Sequence, residues 1–284
     1  MLTDNNIFGV LPFYSDKKYQ DRYRYYGYGY VFPLISPSDK LLPFQIITPI
    51  YVSPTVVQKI VKIGADGTET ESAITFTASG STITANYAIY HYNGGTLGTP
   101  LAEGRYYLKV TIEGVTYYSE VFTVVGSNMS KYLKLEWWDT DTMLFDGGAI
   151  WYNSDNYKNT LYLPTTVGKP TYQFEEEGEE RNGYFFAEKQ ISKKQYAFQF
   201  LAPEYLCDAL RFLRMHENIQ VTENGIVYPI NQIETNVEWQ EQGNLASVTA
   251  TFQCATVAKV IGRNNVILTG GDYNDDYNDD YNNQ

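Results

Sequence analysis

The chain has 284 residues and a formal net charge of −12, from 33 Asp and Glu against 21 Lys and Arg. With only 2 His and 2 Cys beside 27 Tyr, 14 Phe and 4 Trp, it cannot hold a zinc finger or a multi-cysteine cluster. Hydrophobic residues at 43% and charged residues at 19% describe a globular chain, and the acidity argues against direct nucleic-acid readout.

The opening residues, Met1 to Asn6, lack the basic and apolar regions of a secretory signal, and no run approaches the roughly 18 apolar residues of a membrane span. Cys207 and Cys254 sit among apolar neighbours and are expected as buried free thiols of a chain made in a reducing cytosol.

Residues 1–50 read as an extended Tyr/Pro-rich arm. Tyr19, Tyr23, Tyr25, Tyr26, Tyr28 and Tyr30 alternate with Arg22, Arg24, Gly27 and Gly29, and Pro33, Pro37, Pro43 and Pro49 follow. Aromatic rings with a polar tip suit subunit interfaces, so Tyr23, Tyr25, Tyr26, Tyr28 and Tyr30 are interface candidates. Such an arm is expected to lie on a neighbouring subunit.

Residues 51–126 carry short β patterns at about ten-residue spacing. Val56–Ile63 is β-branched and ends at Asp66-Gly67, while Ala73–Thr77 and Ser81–Tyr92 alternate. Gly104–Ile112 and Val115–Val125 flank a tight Glu113-Gly114 turn. This spacing predicts a β-sandwich of immunoglobulin or fibronectin type III character.

Residues 127–270 read as a second β-rich domain with one packed helix. Strands are expected over Lys131–Trp138, Asn159–Leu163, Thr171–Phe174, Gln195–Phe200, Val237–Trp239 and Ala246–Gln253. Asn224-Gly225 predicts a hairpin. The helix spans 203–216, with Pro203 suited to its first position and Leu206, Ala209, Leu210 and Leu213 on one face. Residues 271–284 form an acidic low-complexity tail, in which Tyr273, Tyr277, Asp275 and Asp276 are candidates for contact with a basic partner.

No constellation supports catalysis. Glu175, Glu176, Glu177, Glu179 and Glu180 are too close together for the two separated carboxyls of hydrolytic chemistry, and read as a solvated face or loop. Neither Asp139-x-Asp141 nor the Asp-Tyr-Asn-Asp repeat of the tail matches a calcium-binding EF-hand loop. His91 and His216 have no nucleophile near them in sequence, and no phosphate-binding glycine loop exists. Catalytic residues, cofactors and metal ligands are therefore not expected. Trp137 and Trp138 are further interface candidates; with Trp151 and Trp239 they form the alternative, a platform for stacking on sugar rings in a carbohydrate- or receptor-binding module.

The stretches EGRYYLKVTIEGVTYYSEVFTVV, YLKLEWWD, NTLYLPTTVGKPTYQFEEEGEERNG, KKQYAFQFLAPEYLCDALRFLRMHENIQVT and VEWQEQGNLASVTATFQ resemble virion structural proteins of tailed bacteriophages infecting Bacteroidetes. The resemblance covers about half the chain. It implies a non-enzymatic, ring-forming tail, tail-tip or connector-proximal protein of the virion, made in the host bacterial cytoplasm. Its partners would be copies of itself and other virion proteins.

Overall fold

The computed structural model describes residues 9–24, 32–49, 55–82, 87–140, 143–144, 151–152, 157–228, 230, 232–239, 244–261 and 266–267. In the first half these form β1 (Phe13–Tyr14), α1 (Asp21–Arg24), β2 (Ile35–Pro37), β3 (Phe44–Pro49), β4 (Val56–Ile63), β5 (Glu69–Glu71), β6 (Ser79–Thr82), β7 (Tyr87–Tyr92), β8 (Gly104–Ile112), β9 (Val115–Ser119) and β10 (Phe122–Val125). The central strand is β8. It pairs with β4 along one side, and with β9 and then β10 along the other. The β8–β9 turn has positive φ at both Glu113 and Gly114, the backbone that a right-twisted two-residue hairpin requires.

The stretch expected as one strand over Val115–Val125 is broken. Its register against β8 slips by one between Lys109↔Tyr118 and Tyr106↔Phe122, which leaves a bulge at Ser119–Val121. Ser119 Oγ accepts the Leu108 N–H there at 2.8 Å. β1 extends the sheet antiparallel to β9, and β2 lies parallel to β10. A separate three-stranded sheet runs β3-β7-β6. Ala73–Thr77, expected as a strand, is irregular; Phe76 is instead buried edge-on against Phe44 and Tyr92.

The described parts of the first fifty residues are not a free arm. Val10, Leu11, Phe13, Leu34, Leu41, Leu42, Phe44 and Ile46 are all buried in the chain's own core. The apolar residues flanking the tyrosine run decide the outcome, because they bury in the core, some in short strands and others in the connections between them. Tyr25, Tyr26, Tyr28 and Tyr30 lie outside the described residues.

A buried polar network pins residues 16–24 onto this core. Gln20 Nε2 donates to the Ser119 carbonyl at 2.6 Å. Glu120, which the bulge turns inward, accepts the Asp21 N–H at 3.0 Å and the Val121 N–H at 2.8 Å. Lys17, Arg22 and the Tyr107 hydroxyl converge on Glu69 at 2.5, 2.8 and 2.8 Å. Partial burial alone would raise the Glu69 carboxyl, but these three donors hold it down to about 2. Glu120 is the opposite case: complete burial, then the nearby Asp21 carboxylate, push it up to about 7. Burial pushes Asp21 up to about 6, with Glu204 adding to the rise and Arg24 opposing it.

The second half contains β11 (Leu133–Trp138), β12 (Met143–Leu144), β13 (Trp151–Tyr152), β14 (Asn159–Leu163), β15 (Thr171–Arg181), β16 (Tyr184–Ala202), α2 (Glu204–Leu210), β17 (Asn218–Glu223), β18 (Ile226–Tyr228), β19 (Gln232–Trp239), β20 (Ala246–Ile261) and β21 (Val266–Ile267). One sheet runs β14-β11-β17-β18, a larger one β15-β16-β20-β19 with β21 on the far end of β20, and β12 and β13 pair alone. Strict alternation in β11 buries Leu133, Leu135 and Trp137. The helix expected over 203–216 is divided into α2 and a 3-10 turn at Leu213–Met215. Pro203 stands just before α2 in an extended conformation rather than inside its first turn.

A continuous cluster of buried side chains joins both halves. It includes Leu34, Leu108 and Phe122 from the first and Leu133, Trp137, Leu206, Val221 and Phe252 from the second. No helix among the described residues is long and apolar enough to cross a membrane.

Trp137 fills the centre of its sheet, so Trp137→Ala should cost about 3–5 kcal/mol of stability, measured by denaturant unfolding. The Glu120–Asp21 pair gives a second expectation. Both carboxyls titrate above their ordinary values of 4.5 and 3.8, so the folded chain holds the extra protons. Stability from this pair is fully present below the ordinary values and is lost as pH rises toward 7. Tyr14 and Arg24 face the same pair from β1 and α1, and Glu204 faces it from α2. Between pH 5 and pH 8 the wild-type unfolding midpoint should fall further than that of Glu120→Gln; equal slopes would refute this titration.

Candidate assembly interface

β16 is 19 residues long, which at about 3.3 Å per residue spans roughly 60 Å. Only its C-terminal part belongs to the core, where Phe198, Phe200 and Ala202 are buried. β20 behaves likewise: Ala246, Val248, Ala250 and Phe252 are buried and nothing described after them is. Beyond Gln195 and Gln253 the two strands continue outward with β15 as a three-stranded antiparallel blade. None of the described side chains at 171–194 or 256–260 is buried.

The hairpin at the end of the blade turns on Asn182-Gly183, with φ of 53° and 80°. The glutamate run expected as a solvated face or loop is a solvated strand, the outer strand β15. This long hairpin is the feature that the sequence pattern hides. Asn182-Gly183 carries the same turn signal as Asn224-Gly225, but five glutamates on one side of it mask the β pattern.

The two faces of the blade differ. On one, Glu177 pairs with Lys189 at 3.4 Å and Glu175 with Lys193 at 2.6 Å. The other carries Tyr172, Phe174 and Val257, all well over half exposed apart from Val257 at 56%. In register, Phe174, Ser192 and Val257 form one row across the three strands, and Glu176, Gln190 and Lys259 form the next. Gln190 Nε2 donates to Glu176 at 2.7 Å. Tyr184, Phe185 and Phe186 are exposed at the tip.

This aromatic face continues the face that is buried lower down. Even-numbered residues of β16 point into the core at Phe198 and Phe200, and the same side of that strand carries Ser192 and Gln190 in the blade. In β20 the parity changes, because the register slips at Lys194/Gln195 and leaves Cys254 as an extra residue. A sheet needs packing on at least one face, since exposed ion pairs contribute only about 0.2–1 kcal/mol each. An aromatic sheet face left exposed among the described residues is a candidate interface.

The sequence-predicted candidates are scattered by comparison. Tyr23 is half-buried, with the Arg22 guanidinium 4.5 Å from its ring. Trp137 is fully buried, edge-on to His216. Trp138 is half-buried under Lys158, whose ammonium lies 3.8 Å from the ring centre. Tyr273, Tyr277, Asp275 and Asp276 lie outside the described residues. Among the four tryptophans, Trp239 at the end of β19 is exposed and the side chain of Trp151 is not described.

The titratable groups weighed for chemistry have structural surroundings. Asp139 is buried and accepts the Glu217 N–H at 2.7 Å. His216 donates from Nδ1 to the Phe212 carbonyl at 2.8 Å; burial lowers its pKa, against the pull of that bond and of Asp139. Cys207 and Cys254 are free, but half-buried rather than enclosed. Burial pushes the Cys207 thiol up to about 11 and raises Cys254, so both stay protonated. No group of three or more His, Cys, Asp or Glu among the described residues could hold a metal ion.

Comparisons with family models, with curated proteins and with solved structures find no match to this chain.

Gly178 sits at a register slip in the hairpin, where a Cβ would lie 2.9 Å from the Ala187 Cα. Gly178→Val should therefore part β15 from β16 and expose the 171–194 segment to protease. The melting temperature set by the core should change little; a hairpin as protease-resistant as wild type would contradict the close approach.

Proposed function

We propose that this chain is a non-enzymatic structural subunit of a tailed-phage virion, ring-forming and placed in the tail, tail tip or connector-proximal region. The observation that carries the reading is the blade, whose aromatic face is exposed and has no covering layer among the described residues. A subunit that works alone has no use for such a surface, whereas a subunit of an assembly covers it with a neighbour. The buried scaffold behind the blade fits the same role, since the continuous core fixes the direction in which the blade points. On this reading the seven-stranded and three-stranded sheets of the first half act as the two layers of an immunoglobulin- or fibronectin-like sandwich. The partners are further copies of the chain and other virion proteins, and the acidic tail serves a basic one.

The alternative is a carbohydrate- or receptor-binding module, which needs coplanar exposed rings in a groove. Burial of Trp137 and the Lys158 cap on Trp138 remove two of its four platform residues. Native mass spectrometry over a concentration series separates the two. Assembly predicts a discrete oligomer that grows in with concentration. A strictly monomeric chain whose melting temperature rises with added sugar would overturn assembly in favour of the binding module.

A further inference from the structure

The blade has two unlike edges. Its outer strand β15 presents Glu175, Glu176, Glu177, Glu179 and Glu180, and no described strand pairs with it on the side away from β16. On the other side, β19 pairs with β20 up to Gln253 and β21 pairs with it only at Val260 and Ile261, so no described strand pairs with Cys254–Lys259. Lys259, the cation of that second edge, is exposed and makes no ion pair among the described residues.

Like edges cannot join well. Two β15 strands related by a twofold axis would pair antiparallel, and any register centred on 175–180 sets glutamate against glutamate, which is destabilising. Unlike edges can join. Because β15 and β20 both run antiparallel to β16, they are parallel to each other. A second copy in the same orientation therefore brings its β15 alongside β20 as a parallel pair.

The rows across the blade set the register. Phe174 and Val257 are the two ends of one row, and Glu176 and Lys259 are the two ends of the next. If the rows continue straight from copy to copy, a single register satisfies both rows. Phe174 meets Val257 of the next copy, and Glu176 meets its Lys259.

We propose that Thr171–Glu176, the first part of β15 of one copy, adds in parallel to the Cys254–Lys259 edge of β20 in the next and stops where β21 takes up the edge at Val260, with Glu176 against Lys259 and Phe174 against Val257. The contact is head-to-tail, so every copy keeps one edge of each kind to offer, and the series closes as a ring or continues as a filament. The inference rests on the assembly reading above and names the surface by which copies meet.

Charge reversal on the full chain tests it, with sedimentation velocity as the readout and circular dichroism as the check on folding. Glu176 and Lys259 are both exposed, so Glu176→Lys and Lys259→Glu should fold as wild type. Each single variant should weaken self-association roughly threefold to thirtyfold, because an attraction becomes a repulsion at every junction. The double variant should restore it. In a Cys207→Ser, Cys254→Ser background, Glu176→Cys with Lys259→Cys should give a ladder of disulfide-linked multimers on mild oxidation. A wild type that associates while the single variants associate equally well would overturn the junction and leave the assembly reading standing. So would a double variant that fails to recover, or a cysteine pair that links only within one chain. A monomeric wild type would overturn both.

Discussion

The backbone ladder between β16 and β20, which resumes past a single bulge at Cys254, is what lets one chain be both a packed protein and a projecting surface. At one end its side chains are sealed among Phe198, Phe200 and Phe252. At the other the same two strands stand in water, and only the continuity of the ladder carries order from the first environment to the second. A three-stranded ribbon without a layer on either face is marginal by itself, so the core must hold the blade in shape. The direction of dependence is one-way: damage to the tip leaves the core intact, whereas damage to the core releases the blade.

A second constraint acts at the N-terminal segment. The bulge at Ser119–Val121 turns Glu120 away from solvent and towards the backbone of Asp21. Burying a carboxyl is costly unless it is hydrogen-bonded or neutral, and this one uses both remedies. With Gln20 on the Ser119 carbonyl and Arg22 on Glu69, it docks a segment of mostly polar residues that has little apolar surface of its own. The Arg24–Glu204 pair at 3.6 Å extends that docking to α2, so the N-terminal segment touches both halves of the fold.

What the sequence made legible follows from how local each signal is. The β8–β9 hairpin, alternation in β11 and the helical stretch expected over 203–216 depend on neighbours a few positions apart; the first two are present, and the third is present as α2 and a 3-10 turn. The fate of residues 9–49 depends on partners far along the chain, such as Phe44 on Phe13 and Gln20 on Ser119. No local pattern reports such contacts, so tyrosine content suggested an arm where apolar burial made part of the core. The blade was missed for a different reason. Glutamate has low β propensity, and a strand with both faces in water has no apolar alternation to betray it. Tyr172, Phe174 and the Asn182-Gly183 turn were the available signs.

Cys254 shows how much can hang on one residue with no chemistry of its own. As the extra residue at the slip in β20, it sets which side of the blade each later residue occupies. Val257 and Lys259 share a side with Phe174 and Glu176 because of it. Were Cys254 paired in register instead of bulged out, Thr256, Ala258 and Val260 would take their places, while Val257 and Lys259 rotated to the ion-paired side. The fold would survive, since backbone pairing is indifferent to parity, but the chemical label on the open edge would be rewritten. A surface of this kind is thus encoded by which residue of a strand is left out of the ladder as much as by the identity of the residues that are paired.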